Sequence, residues 1–280
     1  MTVVGLLHPG AMGASIGAAA LGNAEKVIWA SAGRSDASKS RAGRAGLTDV
    51  GSLETLVKES DMIISVCPPD GAIKLALAVF ELDFHGAYVD CNAVSPGHAR
   101  EMAAGAAEVG ATFIDGGIIG GPAWKAESGT RIWLSGRDCA EVVALFDDSP
   151  LQTDIVNADI GAASALKMTF AAYSKGTTAL LAGILAVAEK EGVRDVLAKQ
   201  WGEDFTLQAH RQVIFNAAKA WRFSGEMDQI AETFEVAGLP GGFHNAAAEV
   251  YERLADFKDW QTRPELDELL QALLRPGDAI

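Results

Sequence analysis

Cysteine is scarce: Cys67, Cys91 and Cys139 are the only three, an odd number with neither CxxC spacing nor neighbouring histidines. A disulfide framework and a zinc site are therefore not expected, and a reducing cytoplasm suits the pattern best. Basic charge is also short, with 23 Lys and Arg against 37 Asp and Glu. Binding a polyphosphate needs a concentrated positive excess, so no nucleic-acid partner is expected, and the surplus of acid serves solubility. No uninterrupted apolar run reaches the roughly 20 residues of a bilayer helix, which argues against a membrane partner. The opening stretch Met1 to His8 lacks the basic region and small-residue cleavage site of a secretory signal and reads instead as a first strand. Low-complexity and disordered segments are absent, and 280 residues exceed what one core usually organises, so two domains are expected.

Short apolar runs alternate with helical stretches through the first half. Strands are predicted at Val3–Leu7, Lys26–Ala30, Met62–Val66, Ala87–Asp90, Thr112–Ile114 and Arg131–Leu134, with helices such as Ala14–Leu21, Leu53–Glu59, Gly71–Leu77 and Gly97–Glu108 between them. Strand–helix alternation of this kind predicts an α/β fold with a doubly wound, mainly parallel sheet. After about Asp154 no strand-like run remains, and helical patterns broken at Gly192, Gly202, Gly225, Pro240 and Pro264 continue. The expected domains are 1–158, of Rossmann type, and 159–280, all helical. From Ala162 to Lys190 there is no proline and only two glycines, so one long helix should open the second domain.

The first chemical signal lies between the first strand and the first helix, at His8, Pro9, Gly10, Ala11, Met12 and Gly13, with Gly17 one turn on. Backbone N–H groups at a helix N-terminus, reached closely where glycine has no side chain, bind a dinucleotide pyrophosphate. Gly10 and Gly13 fill two positions of GxGxxG, but His8 stands at the first, where glycine normally allows the tight turn. Beyond the second strand an NAD enzyme would place an acid for the ribose hydroxyls. Here the turn reads Ser31-Ala32-Gly33-Arg34-Ser35, with Lys39 and Arg41 following. Arg34 and Ser35 suit a 2′-phosphate, so NADP is expected over NAD.

Ligands of open parallel sheets sit outside the carboxyl ends of the strands. The loops expected there are Cys67-Pro68-Pro69-Asp70 and Asp90 to Pro96, which includes Asn92, Ala93 and Ser95. The stretch from Phe113 to Pro122 carries Gly116, Gly117, Gly120 and Gly121, which implies close approach of a ligand or of another segment; a hairpin-like connection is the plainer alternative.

The order of these motifs resembles the β-hydroxyacid dehydrogenase and 6-phosphogluconate dehydrogenase superfamily, which also contains the imine reductases. Family loops GxGxMG, an Asn-Arg-Thr-like turn, DxSTxSP, DAPVSGG and GxGxxxK correspond to His8 to Gly13, Gly33 to Ser35, Asp90 to Pro96, Asp115 to Gly121 and Gly161 to Lys167. The likeness is specific to about residue 175 and architectural beyond it. It implies Lys167 as the catalytic acid/base and, from its apolar setting, a desolvated lysine. It implies substrate contacts near Ala93, Ser95, Ile119, Gly120, Gly121, Ala171 and Ser174. The Ala/Gly/Leu-rich surface of the long helix from Thr177 to Val187 is hard to cover within one small domain, so a homodimer through the helical domain is expected.

Several family hydroxyls and amides are replaced: the serine of DAPVSGG is Ile119, the STxSP hydroxyls are Asn92 and Ala93, and the amides after the lysine are Phe170 and Ala171. Such a pocket is more apolar and suits a larger or less anionic carbonyl, with Tyr173, Ser174 and Lys175 as alternative polar groups. On a helix 167, 171 and 174 share a face. Trp221 and Phe243 read as core residues and His244 as a helix cap, with the alternative, from the family's architecture, that these stretches reach the pocket from a partner subunit; His98 and His210 receive neither chemistry nor metal. The expected activity is NADP-dependent hydride transfer between NADP(H) and a carbonyl or alcohol of a small molecule. Imine reduction on the same scaffold and cofactor binding without turnover are the alternatives; imine reductases usually carry Asp or Tyr where this chain has Lys167.

Overall fold

The computed structural model describes residues 2–258 and 263–275. It forms two compact units, residues 1–168 and 169–280. The first unit opens with β1 (Val3–Leu7), α1 (Ala11–Ala20), β2 (Lys26–Trp29), α2 (Asp36–Arg44), β3 (Thr48–Asp49) and α3 (Leu53–Glu59). It continues with β4 (Met62–Ser65), α4 (Ala72–Phe80), β5 (Ala87–Asp90), α5 (Pro96–Glu108), β6 (Thr112–Ile119), β7 (Arg131–Ser135), α6 (Ala140–Leu145) and β8 (Gln152–Asn157). The strands form one eight-stranded sheet in the order β3-β2-β1-β4-β5-β6-β7-β8. β1 to β6 run parallel, β7 is antiparallel to β6, and β8 is parallel to β7. This is the doubly wound α/β sheet that the strand–helix alternation predicts.

The central strands are apolar at nearly every position because helices cover both faces. Leu6 packs on one face with Ile16, Ile64 and Leu134, while its neighbour Leu7 packs on the other with Ile28, Leu56 and Ile63. Each such side chain, fully enclosed, contributes about 1.5–3 kcal/mol.

Two strands were not foreseen. β3 is two exposed residues long, and β8 is a largely exposed edge strand, so neither carries the apolar run by which a buried strand is recognised. β6 also runs five residues past its predicted end, through Gly116 and Gly117, whose lack of a side chain hides strand character from pattern reading. The glycine-rich segment after it is the connection of an antiparallel β6–β7 hairpin, the plainer of the two readings given above.

Helix α7 (Ala162–Lys190), 29 residues long, begins in the first unit and continues through the second. By length and composition alone it could cross a membrane, with 44% of its most apolar window buried in the protein. It passes that test although no uninterrupted apolar run reaches bilayer length, because hydropathy averaged over a window tolerates its few polar residues. The second unit adds α8 (Arg194–Trp201), α9 (Glu203–Ala217), α10 (Phe223–Val236), α11 (Gly242–Glu252) and α12 (Leu266–Leu274), and holds no strand among the described residues.

Candidate nicotinamide dinucleotide site

The chain leaves buried β1, turns at His8, Pro9 and Gly10, and enters α1 at Ala11. Gly10 caps α1 without a side-chain hydrogen bond, and a Cβ placed on it would meet nothing within 4 Å. The N-terminus of α1 is thus open, with Ala11 exposed and Met12 half-buried beside it. A Cβ on Gly13 would overlap the His8 carbonyl, so α1 lies closer to the end of β1 than any other residue permits. An uncovered helix N-terminus with unobstructed amides fits a pyrophosphate.

His8 fills its fingerprint position with backbone and adds a side chain. Its carbonyl accepts from Gly10 N at 2.8 Å, and its Nε2 lies 2.8 Å from Arg34 Nη2. A guanidinium only donates, so Nε2 is the acceptor and the imidazole is neutral with its proton on Nδ1. Burial and the Arg34 charge hold the His8 pKa down to about 4. Arg41 clamps the same loop, its Nε donating to the Pro9 carbonyl at 3.1 Å and its Nη2 to Ser38 Oγ at 3.1 Å.

Past β2, Arg34 is exposed and Ser35 Oγ caps α2 by accepting from Ser38 N at 3.3 Å. The half-buried Ser31 donates its N–H to Asp49 Oδ1 at 3.2 Å, and Gly51 N donates to the same oxygen at 2.8 Å. These bonds, with Lys39 nearby, leave the Asp49 carboxyl below its usual range despite the opposing effect of desolvation. Sequence reading missed Asp49, because it reaches this turn from β3, which pairs with β2.

Parallel pairing puts Ser65, Asp90 and Asp115 level on β4, β5 and β6, and antiparallel pairing sets Ser135 of β7 opposite Asp115. All four are fully buried. Asp90 accepts from Asn92 Nδ2 at 2.5 Å and from Asn92 N at 3.3 Å, while Asn92 Nδ2 also donates to Ser65 Oγ at 2.9 Å. Asn92 Oδ1 takes the Cys67 N–H at 2.5 Å, which joins the β4 and β5 loops. Burial and the neighbouring Asp115 raise the Asp90 pKa to about 7. Burial and Asp90 push the Cys67 thiol up to about 12, and its Sγ donates to the Pro68 carbonyl at 3.3 Å. Pro68 is exposed and Pro69 half-buried at the start of a short helical turn. Ala93 is half-buried, whereas Ser95 is buried and caps α5, its Oγ accepting from His98 N at 3.2 Å.

Asp115 holds the start of α7. Its Oδ2 accepts from Ser135 Oγ, Gly161 N and Ser164 N at 2.8, 3.0 and 3.1 Å, and its Oδ1 from Ser164 Oγ at 2.6 Å. Ser135 Oγ in turn accepts from Ala163 N at 3.1 Å. Two residues along, on the same face of β6, a Cβ on Gly117 would lie 2.7 Å from Ala163 O and 3.0 Å from Lys167 Cβ. The helix therefore rests directly on the strand, and half-buried Lys167 leaves it beside Gly117. At the end of β6 Ile119 is half-buried and Gly120 and Gly121 are exposed, with Thr130 Oγ1 donating to Gly121 O at 2.6 Å.

The first 147 residues, more than half of the chain, match the family described as the NAD binding domain of 6-phosphogluconate dehydrogenase. The chain belongs to this family. Residues 188–254 match a second family, described as a domain of unknown function, DUF1932. An uncharacterized 28.5 kDa protein of Methanothermus fervidus is 30% identical over 165 residues, which span 59% of this chain and 62% of that protein. The match thus takes in less than two thirds of that relative. A Salmonella typhimurium 3-hydroxyisobutyrate dehydrogenase superposes with a TM-score of 0.70 at 16% identity, over 97% of this chain and 99% of the other. A reductive aminase from Aspergillus terreus, solved with NADPH and ethyl levulinate, gives a TM-score of 0.58 at 17% identity with the same coverage. At these identities the likeness is one of fold.

As a member of the 6-phosphogluconate dehydrogenase NAD-binding family, the first unit carries a nicotinamide dinucleotide domain, and its open α1 terminus agrees with that. The remaining sequence-predicted residues lie in the second unit. On α7, Ala171 is buried and Ser174 half-buried, its Oγ donating to Phe170 O at 3.2 Å, while Phe170 and Tyr173 are exposed. Lys175 pairs with Glu226 in a largely buried ion pair and sits 4.6 Å from the Phe223 ring. His244 is buried between Phe234 and Phe243, at 4.4 and 5.2 Å. Trp221 and Phe243, read from sequence as core, are 40% and 48% exposed, which is the accessibility of half-covered surface residues.

Proposed function

We propose that this protein is an NADP-dependent oxidoreductase that moves a hydride between NADP(H) and a carbonyl or alcohol substrate, with Lys167 as the acid/base. The observation that carries the reading is the seating of Lys167: Asp115 and Ser135 grip the first turn of α7, and Gly117 lets that turn rest on β6. Such anchoring keeps the Lys167 stem in one place, the condition for delivering a proton to a defined oxygen. When bound, the nicotinamide supplies or accepts the hydride. The protein's own share is to hold the pyrophosphate at the α1 terminus, present Arg34 to a 2′-phosphate, and give or take a proton at Lys167 Nζ. Arg34 supports the choice of NADP, while Asp49, an acid bonded to the Ser31 amide, already spends an oxygen on two backbone amides.

Lys167→Ala should lower turnover by about 10²–10⁴-fold and leave NADPH affinity nearly unchanged. Full turnover in that variant would overturn the assignment. Arg34→Asp should weaken NADPH binding far more than NADH binding in parallel titrations; equal small effects would remove Arg34 from the site. Imine reduction on the same scaffold is the second reading, and Ile119, Phe170 and Ala171, apolar where the family pattern has polar groups, support cofactor binding without turnover as a third. Screening NADPH oxidation against carbonyls and imines, and NADP reduction against alcohols, separates the two, and tight cofactor binding without turnover would mark a binding protein. Three thiols with no disulfide support a reducing, cytoplasmic setting. The exposed Leu180 and Val187 on α7 support a homodimer through the helical unit.

A further inference from the structure

We infer that His8 is a specificity-determining, positioning residue that orients Arg34 for the 2′-phosphate of NADP; this rests on the NADP reading above. The fingerprint position it occupies is served by backbone alone, since the His8 carbonyl receives Gly10 N and lies against Gly13. Its side chain is therefore surplus to the turn, and it reaches Arg34 at 2.8 Å. Arg34 is otherwise an exposed side chain on a loop, following Gly33 in a left-handed conformation, and would lose considerable rotamer freedom on gripping a ligand.

The chemistry of the partner decides what this contact can do. An aspartate at position 8 would also fix Arg34, but it would cancel the charge that an anion needs. A neutral imidazole accepts a single N–H and leaves the guanidinium with its full positive charge and its remaining donors. Pre-orientation without neutralisation is the arrangement that favours binding of a phosphate. Arg41, bonded to the Pro9 carbonyl, fastens the same loop to α2, so the pyrophosphate loop and the 2′-phosphate turn are tied together at two successive residues.

The test uses the full-length protein titrated with NADPH and NADH. His8→Gly restores the ordinary fingerprint residue and should lower the NADPH-to-NADH affinity ratio by about tenfold, chiefly through weaker NADPH binding. His8→Gln, whose Oε1 can accept from Arg34, should keep most of the preference, and His8→Gly in an Arg34→Ala background should have no further effect. His8→Leu, of similar bulk without an acceptor, carries the same expectation as His8→Gly if the glycine variant unfolds. If Arg34→Ala abolishes the preference while His8→Gly and His8→Leu retain it, the role given to His8 is wrong and the NADP reading stands. If Arg34→Ala leaves the ratio unchanged, the NADP reading fails and this inference fails with it.

Discussion

At the scale of the residue, His8 shows how a departure from a motif acquires meaning only from its neighbours. In the sequence it is a missing glycine. In the fold it is a half-buried, neutral acceptor for Arg34 with a pKa near 4. Because that value lies below the ordinary 6.5, the unfolded chain binds a proton between these pH values that the folded chain refuses. His8 therefore contributes stability that is complete above about pH 6.5 and is lost as the pH falls toward 4. Urea titrations across this window should show a decline in the wild type that is steeper than in His8→Gln, by on the order of 1–3 kcal/mol at the acid end. Parallel declines would show that His8 titrates as it does in a free peptide.

At the scale of the element, the junction of β6 with α7 rests on one carboxylate. Asp115 satisfies amides of the first turn of α7 that no helical carbonyl can reach, and the hydroxyls of Ser135 and Ser164 complete its shell. Asp115→Ala should cost about 3–5 kcal/mol by leaving these buried donors without an acceptor, whereas Ser164→Ala, which removes one donor, should cost about 1–2 kcal/mol. Denaturant midpoints of the two variants provide the comparison; losses that are equal and below about 1 kcal/mol would mean that packing against Gly117, not Asp115, holds the helix. This junction was only half legible. Asp115 and Lys167 stand out in the sequence, but Ser135 does not, because antiparallel pairing across twenty residues is what sets it opposite Asp115.

At the scale of the whole molecule, α7 leaves large apolar side chains exposed. Leu180, Val187 and Phe243 are 48%, 61% and 48% exposed and border an apolar groove of about 610 Å³ that also includes Ile184 and Leu197. Covering it with a second copy removes that surface from water. Light scattering should give about twice the 29.3 kDa chain mass, and Leu180→Glu with Val187→Glu should shift the protein to monomer. A monomeric wild type, or a variant of unchanged mass, would rule out dimerisation through this face.

The sequence by itself determined the doubly wound sheet, the long helix from Ala162 and the placement of the nicotinamide dinucleotide domain, because strand and helix periodicity and glycine spacing are local properties. It did not disclose β3 and β8, whose edge positions need no apolar pattern, nor the carboxylate of Asp49 beside Ser31. The pairings of His8 with Arg34 and of Asp115 with Ser135 and Ser164 were decided by the tertiary structure alone. Each joins residues twenty or more positions apart, and only sheet pairing and the seating of a helix on a glycine bring such groups within hydrogen-bonding distance.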